Sequence, residues 1–290
     1  MRPQFLNLVQ SSFSLWLDNF ILSKGSGVSS VSSKFYPVGQ TFNGLYTYAA
    51  PYQPFVYDAS VVSPMTGILI NGTPIQRGVS GFVDINYRKG QVYFNSNVNS
   101  SAISGNYTVN EINILPLDIS EQKLLFETKF TQRSKTSQTV TGLQSNTYTY
   151  PSIYIKGFSN TNTPYSFGGE DLSEVTIGLF LIMDSAYQSD AVRSILADSK
   201  LELVPLLTQD KFPMNIYGGL KETGSNFNFE TLKTGYISAG SGMYIKDVVI
   251  NSFKREYNVD SNNLNPDVYW AVADVVLCKS RYPRNLTNNL

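Results

Sequence analysis

The stretch Gly67 to Asn95, GILINGTPIQRGVSGFVDINYRKGQVYFN, has the pattern of two consecutive β-hairpins. Asn71-Gly72 is the commonest pair in a type I′ turn, because both central residues of that turn need a positive φ. Ile68 and Ile70 lead into this turn and Ile75 follows it. The alternation on both sides of Asn71-Gly72 therefore predicts the first hairpin.

The second hairpin is predicted around a turn at residues 88–91. Apolar residues alternate with polar ones on both sides of this turn, and they are Val83, Ile85, Tyr87, Val92 and Phe94. Successive side chains of a strand point to opposite faces, so the apolar set is predicted to face a core. Asp84 and Asn86 lie between them and are predicted to face solvent.

The composition of the chain indicates a folded protein with an unusually neutral surface. Of 290 residues, 42% are hydrophobic and 15% are charged, and the formal net charge is zero. A soluble domain typically has ~25% charged residues. Without an overall positive field, the chain is not expected to bind nucleic acid sequence-specifically, and a net charge near zero favours association between proteins.

The chain contains no histidine and a single cysteine, Cys278. Histidine-dependent triads, the usual zinc sites and cysteine-ligated clusters are therefore excluded within one chain. Neither phosphate-binding glycine motif is present. We predict a protein that is not an enzyme, with no cofactor, no metal and no catalytic residue, and with Cys278 as a buried small hydrophobe.

The densest acidic cluster is Glu170, Asp171 and Glu174. Three interpretations stay open for it. It can be a solvated loop, it can bind calcium through carboxylates and carbonyls, or it can contribute to a glycosidase pair, with Glu170 as the best candidate.

An amphipathic helix is predicted near the N-terminus, beginning at Ser11 or Ser12 and ending at Gly25. Its apolar face, with helical spacing, carries Phe13, Trp16, Leu17, Phe20 and Ile21. This face can pack on the chain's own sheet or on a neighbouring subunit. Membrane binding is disfavoured, because the polar face lacks the Lys and Arg that such helices use.

Two further segments of the first half carry assembly hypotheses. Residues 23–43 are rich in Gly and Ser and are predicted to be an extended arm or loop rather than a packed element. The aromatic stretch from Tyr46 to Tyr57 can cover a subunit interface or hold a sugar ring. The candidate interface residues are accordingly Phe13, Trp16, Phe20, Tyr52 and Tyr57.

The fold class predicted is α+β with two domains. Residues 1–115 form an N-terminal helix and an antiparallel β-sandwich or barrel, with a first strand in Phe55 to Val62 and a last strand from Tyr107 to Leu115. Residues 116–290 form an α+β domain with an antiparallel sheet and two helices. Its first predicted element is a helix opened by Asp118 and Glu121, with a strand at residues 124–130 as the alternative. The elements that follow are a loop at Thr136 to Thr149, a strand at Ser152 to Lys156, a loop at Ser159 to Ser173, a buried central strand at Val175 to Met183, a helix capped by Asp184 or Ser185, short strands from Leu201 to Phe229, and long strands at Met243 to Phe253 and Asp267 to Leu277.

The two hairpins resemble a pattern of virion structural proteins of tailed bacteriophages. In that pattern an (I/V)-x-(I/V)-N-G hairpin is followed by D-(I/Y)-x-x-G-x-V-x-F. Here ILINGTPIQ matches the first part, and Asp84, Ile85, Gly90, Val92 and Phe94 match the second. The order of elements in the C-terminal part also resembles the tail-terminator and neck proteins that form rings where head and tail join.

This resemblance implies a structural component of the virion that forms a homo-oligomeric ring at the head-to-tail neck or in the tail. Its partners would be copies of itself and other virion proteins, either portal and adaptor or tail tube and sheath, and its location would be the virion. Two other functions are weighed against it. The aromatic stretch suggests a carbohydrate- or receptor-binding β module, and the acidic cluster suggests a carboxylate glycosidase.

Overall fold

The computed structural model describes residues 5–38, 42–99, 102–117, 133–134, 149–164, 170–221, 227–252 and 268–281. Its helices are α1 (Phe5–Gly25), α2 (Ala186–Ala197) and α3 (Phe229–Ser238), with a short 3₁₀ helix at Gln209–Lys211. The fold is mixed α+β, as the sequence predicts, with one helix at the N-terminus.

The strands of the described residues are, in chain order, β1 (Val28–Lys34), β2 (Tyr36–Pro37), β3 (Tyr46–Ala49), β4 (Gly67–Ile70), β5 (Thr73–Gln76), β6 (Phe82–Asn86), β7 (Gln91–Phe94), β8 (Ile103–Asn110), β9 (Asn113–Pro116), β10 (Arg133–Ser134), β11 (Thr149–Tyr150), β12 (Ser152–Pro164), β13 (Asp171–Met183), β14 (Leu203–Pro205), β15 (Gly242–Ser252) and β16 (Tyr269–Arg281).

These strands form three larger sheets, which we number in chain order. Sheet 1 has the order β1-β8-β4-β5, and sheet 2 has the order β2-β3-β7-β6; both are antiparallel. Sheet 3 has the order β14-β15-β16-β13-β12-β9. Its β9 runs parallel to β12, so the sheet is mixed, and the prediction of a wholly antiparallel second sheet was wrong. Strands β10 and β11 form a separate parallel pair.

Both predicted hairpins are confirmed. Strands β4 and β5 are joined through Asn71 and Gly72, whose φ angles of 51° and 79° provide the two positive values that a type I′ turn requires. Strands β6 and β7 form the second hairpin. The two hairpins belong to different sheets, since β4 pairs with β8 and β7 pairs with β3.

Three predictions for the first half were wrong in detail. The segment predicted as an extended arm contains strand β1, whose residues Val28 to Lys34 pair with β8. Its side chains are half-exposed or exposed, so backbone hydrogen bonds to β8, rather than side-chain burial, hold this Ser-rich segment in the sheet. Residues 55–62 form no strand beyond one isolated bridge, since Pro51 and Pro54 interrupt the approach to them. The single strand predicted from Tyr107 to Leu115 is two strands, and the chain leaves sheet 1 between them to enter sheet 3.

Helix α1 is confirmed, but it begins at Phe5 rather than near Ser11. It lies against β9, β12, β14 and α2, so it mainly covers sheet 3. It also contacts sheet 1, where Asn110 Nδ2 of β8 donates to Asp18 Oδ1 at 2.9 Å. Polar side chains fix its position: Gln10 Nε2 donates to Ile155 O at 3.2 Å, and Ser12 Oγ accepts from Leu207 N at 3.0 Å. The strand β9, which crosses the predicted domain boundary at 115/116, also belongs to sheet 3.

Strand β13 is buried on both faces, as its apolar run predicts. Val175, Ile177, Leu179 and Leu181 belong to the main core, and Phe180 and Ile182 belong to a second cluster on the opposite face. Each of β12, β13 and β16 has 13 residues, and such a strand is roughly 40 Å long. These strands give sheet 3 its extent.

Other elements of the second half were predicted with mixed success. The helix capped by Ser185 is confirmed, since Ser185 Oγ accepts from Gln188 N at 3.2 Å, and Cys278 is buried. Most residues of the predicted loop from Ser159 to Ser173 are strand, because they pair across the β12–β13 hairpin. The predicted short strands from Leu201 to Phe229 reduce to β14, and helix α3, capped by Asn228, was missed. The helix predicted at Asp118 and most of the loop at Thr136 to Thr149 lie outside the described residues.

Candidate functional site

The aromatic residues of α1 are part of the chain's own core. Phe13, Trp16 and Phe20 are at most 6% exposed, and the rings of Trp16 and Phe20 stack with centroids 4.6 Å apart. A neighbouring subunit would not meet these side chains on the surface of this fold. Helix α1 therefore packs on a sheet of its own chain rather than on a neighbouring subunit. This sheet is sheet 3, whereas the prediction placed the helix in the first domain.

The aromatic stretch from Tyr46 to Tyr57 is also largely internal. Tyr48, Phe55 and Tyr57 are buried, Tyr52 is half-buried against the core, and Tyr46 alone in this stretch is strongly exposed. Burial raises the pKa of Tyr57 well above its usual value, and the nearby carboxylate of Asp18 raises it further. The stretch thus contributes most of its rings to packing rather than to a sugar-binding surface.

The acidic residues 170–174 do not converge. Glu170 accepts a hydrogen bond from Ser280 Oγ at 2.7 Å, whereas Glu174 forms an ion pair with Lys246 on β15. This ion pair raises the pKa of Lys246. Within the described ranges, no three Asp, Glu or Cys side chains come close enough to hold a metal ion.

Asp84 is the centre of a buried polar cluster, and its prediction as a solvent-facing residue was wrong. It is 3% exposed and accepts hydrogen bonds from Arg77 Nη2, from Ile85 N at 2.7 Å and from Asn215 Nδ2 at 2.7 Å. Asn86, also predicted to face solvent, is buried as well; its Nδ2 donates to Tyr93 Oη at 3.0 Å. Both polar positions of β6 are therefore covered.

The cover is a second segment, residues 213–221, which we name the clamp loop. It is closed by a bridge between Met214 and Leu220, and Gly218 O accepts from Tyr87 N at 3.1 Å. A Cβ on Gly218 would lie 2.6 Å from Asn86, and one on Gly219 would lie 2.3 Å from Asp84. Only glycine allows this approach, and Gly218-Gly219 was the one signal in the sequence that could have indicated it.

A second buried carboxylate, Asp58, joins three parts of the chain. It accepts from Asn19 Nδ2 on α1 at 2.9 Å, from Ser60 N at 2.9 Å and from Phe229 N at the start of α3 at 3.1 Å. An anionic group at a helix N-terminus is stabilising, because the first N–H groups have no partner within the helix. Donors of the chain itself therefore surround both Asp58 and Asp84, which gives each a structural role.

A shallow groove of about 310 Å³ lies between the clamp loop and α3. Its apolar wall includes Phe212, Leu220 and Phe227, and two lysines, Lys211 and Lys221, also line it. Both are turned to Asp210: Lys211 Nζ lies 3.5 Å from its carboxylate, and Lys221 Nζ lies 3.3 Å from its carbonyl oxygen. Both lysines that line the groove therefore contact Asp210.

The comparisons with known proteins add no identification. No protein-family model matches the chain, and no curated protein matches its sequence. The helices that the structure describes are too short or too polar to cross a membrane. The strand β12 presents a further surface, since its side chains are exposed from Ser159 to Pro164.

Proposed function

We propose that the protein is a non-enzymatic structural component of a tailed-bacteriophage virion and forms a homo-oligomeric ring at the head-to-tail neck or in the tail. Its partners in this role are copies of itself and the adjoining virion proteins, either portal and adaptor or tail tube and sheath. The resemblance of residues 67–95 motivates the family, and both hairpins on which it depends are present in the fold.

The observation that carries the assembly role is the β12–β13 hairpin. The segment predicted as a loop from Ser159 to Ser173 is largely a strand pair, and its β12 side is exposed from Ser159 to Pro164. This side has the sequence SNTNTP, which contains no charged residue. A long, uncharged, regular surface is suited to contacts with other protein subunits, because it can be covered without burying an unpaired charge.

The two smaller sheets supply a rigid base for such contacts. Apolar side chains of sheet 1 (Ile68 and Ile103) and of sheet 2 (Val92 and Phe94) belong to one buried cluster, and the ring of Phe35 contacts Phe55 and Tyr107. We infer that sheets 1 and 2 pack as a β-sandwich around these side chains, as the sequence predicts for the first domain.

The other two functions receive less support from the described residues. A sugar-binding site made from the Tyr46 to Tyr57 stretch would use rings of which Tyr48, Phe55 and Tyr57 are buried. A glycosidase built on Glu170 needs a second carboxylate across an open site, and Glu174 is paired with Lys246 instead.

The proposal is tested on particles purified from the source of the chain. We expect quantitative mass spectrometry to find the protein in washed particles at a fixed number of copies, and electron microscopy of the particles to place it in a ring. Its absence from complete particles would overturn the proposal. As a control, the same preparation must contain the major capsid protein and lack abundant host proteins.

A further inference from the structure

Within the part of the chain that the structure describes, sheet 3 has an open stretch at each of its two edges. On the β12 edge, β9 pairs only from Ser152 to Ile155, and no described strand pairs with residues 157–161 on that side. On the other edge, β14 pairs only from Gly242 to Tyr244, and no described strand pairs with residues 247–252 on that side. We name these stretches the β12 edge and the β15 edge.

An open edge presents backbone donors and acceptors to whatever lies beside it. Along a strand, N–H and C=O groups point alternately to its two neighbours, so a strand with one neighbour leaves half of these groups directed outward. Ser159, Asn160 and Thr161 on the β12 edge are exposed, and so are Asp247, Val249 and Asn251 on the β15 edge. Both edges are therefore accessible to another strand.

The directions of the strands make the two edges complementary. In sheet 3 every neighbouring pair from β15 to β12 is antiparallel, so β15 and β13 run one way and β16 and β12 run the other. When two copies stand side by side in the same orientation, the β12 edge of one meets the β15 edge of the next as an antiparallel pair. No rotation of either copy within the sheet is needed.

The positions of the two edges also fit repeated addition. The pairing registers of sheet 3 show which residues lie at the same level along the strands. Residues Gly157 to Thr161 of β12 lie level with Val275 to Cys278 of β16, and residues Asp247 to Ser252 of β15 lie level with Val276 to Ala271. The two open stretches overlap at the middle of β16 and extend in opposite directions along it. Pairing them displaces each copy along the strand direction, which is the stagger that tilted strands need when a sheet closes on itself.

Other features limit the pairing to these stretches. Each stretch begins at a break in register, between Gly157 and Ser159 on β12 and between Ile245 and Asp247 on β15. Bulges of this kind end a regular ladder and restrict which residues can pair. The β12 edge carries no charge between Gly157 and Thr161, and Asp247 on the β15 edge is paired with Lys200 at 3.4 Å.

We propose that copies of this chain join head to tail by antiparallel pairing of the β12 edge of one copy with the β15 edge of the next, so that sheet 3 continues from subunit to subunit. A contact between two different surfaces generates a ring when the rotation closes. The occupant of each edge is thus a second copy of the chain. This inference rests on the ring in the proposed function and names the surfaces that build it.

The first test is chemical cross-linking of the full chain through introduced cysteines. Thr161→Cys and Val249→Cys place one thiol on each edge, and the registers put both positions on the same face of sheet 3. Cys278 is fully buried, so a short bismaleimide does not reach it in the folded protein. We expect the double variant to form a ladder of dimers, trimers and higher species, and an equal mixture of the two single variants to form dimers only.

The control for random collision is Tyr187→Cys, at a side chain that is 84% exposed and belongs to α2 rather than to either edge strand. Cross-linking of the double variant no stronger than that of this control would overturn the inference. Dimers formed by either single variant alone would also overturn it, because they would show an edge pairing with itself.

The second test measures assembly without cross-linking. Lysine on an open edge blunts strand addition, so the variant with both Thr161→Lys and Val249→Lys should need at least a tenfold higher concentration to assemble in analytical ultracentrifugation. Circular dichroism checks that this variant is folded, and Tyr187→Lys should assemble like the unmodified chain.

Unchanged assembly of the edge variant would overturn the sheet continuation and leave the ring proposal intact. An unmodified chain that stays monomeric at its highest soluble concentration would contradict both, whereas absence from particles contradicts only the proposed function.

Discussion

The two hairpins within residues 67–95 have the same local pattern and different surroundings. The first, β4–β5, has exposed or half-exposed side chains on β5 and is held in its sheet by the short pairing of β4 with β8. Almost every side chain of the second hairpin, β6–β7, is buried. The core covers one face of this hairpin, and the clamp loop covers the polar side chains on its other face. Alternation along a strand therefore predicts the pleat but does not say whether the polar face meets water or another part of the protein.

The largest expected effect is the loss of Asp84. Asp84→Ala removes the acceptor for Arg77, Ile85 N and Asn215, and it leaves buried donors without partners. We expect the free energy of unfolding, measured by urea titration, to fall by roughly 3 kcal/mol.

The matched change in the first hairpin is Gln76→Ala on the exposed strand β5. It should change the free energy of unfolding by no more than about 0.5 kcal/mol, as surface substitutions usually do. Equal effects of Asp84→Ala and Gln76→Ala would show that the clamp loop does not hold β6 in the way the contacts indicate.

An intermediate effect is expected from a pair of glycines with the same backbone conformation. Gly218 and Gly72 have φ angles of 80° and 79°, but a Cβ on Gly218 would lie 2.6 Å from Asn86, whereas a Cβ on Gly72 meets nothing within 4 Å. Gly72→Ala should cost about 1 kcal/mol from the left-handed backbone alone. Gly218→Ala should cost about 1 kcal/mol more than Gly72→Ala, since the clamp loop must move away from β6. Thermal unfolding of the two variants measures the difference, and similar melting temperatures would contradict the close approach.

The smallest effect concerns Tyr87 at the end of β6, whose hydroxyl donates to Met65 O at 2.6 Å. Burial raises the pKa of Tyr87 to about 12, so the neutral phenol is favoured in the folded state. Its contribution to stability is complete below pH ~10, the usual pKa of tyrosine, and is lost as the pH rises through about 12.

Tyr87→Phe should therefore lower the free energy of unfolding by about 1 kcal/mol at pH 7 and make its decline above pH 10 less steep. Tyr187→Phe, at an exposed site, is the control and should change neither quantity. Urea titrations at a series of pH values provide the measurement. A decline as steep in Tyr87→Phe as in the unmodified chain would contradict the role of this phenol.

Local sequence patterns correctly predicted the elements that neighbouring residues determine. The Asn71-Gly72 turn, the apolar spacing of α1, the cap at Ser185 and the buried run of β13 all appear where the sequence indicates them. The strand β1 was missed because its Ser-rich sequence has weak alternation, and only its pairing with β8 makes it a strand. Helix α3 was missed because its residues 229–238 lie in a stretch with mixed apolar and polar spacing, and its cap at Asn228 is a single short signal.

The sites were harder to predict, because they depend on distant segments. Asp84 and Asn215 are 131 positions apart, and no pattern around either residue indicates that they meet. Tyr57 and Trp16 were named as candidate interface residues because aromatic residues are frequent at interfaces, but both are buried in the core of this fold. The open edges of sheet 3 require the order of its strands, which the sequence pattern alone does not contain.

The packing of α1 has a consequence for how the chain is made. The surface that covers this helix comes mostly from strands β12 to β14 and from α2, so the ribosome must extend the chain well past its middle before α1 can be buried. During that time the apolar side chains from Phe5 to Leu22 stay without their final partners. Contacts between such distant segments form slowly, and exposed apolar helices aggregate. We therefore expect newly made chains to bind chaperones through this first segment, and their yield to increase when translation continues at a lower temperature.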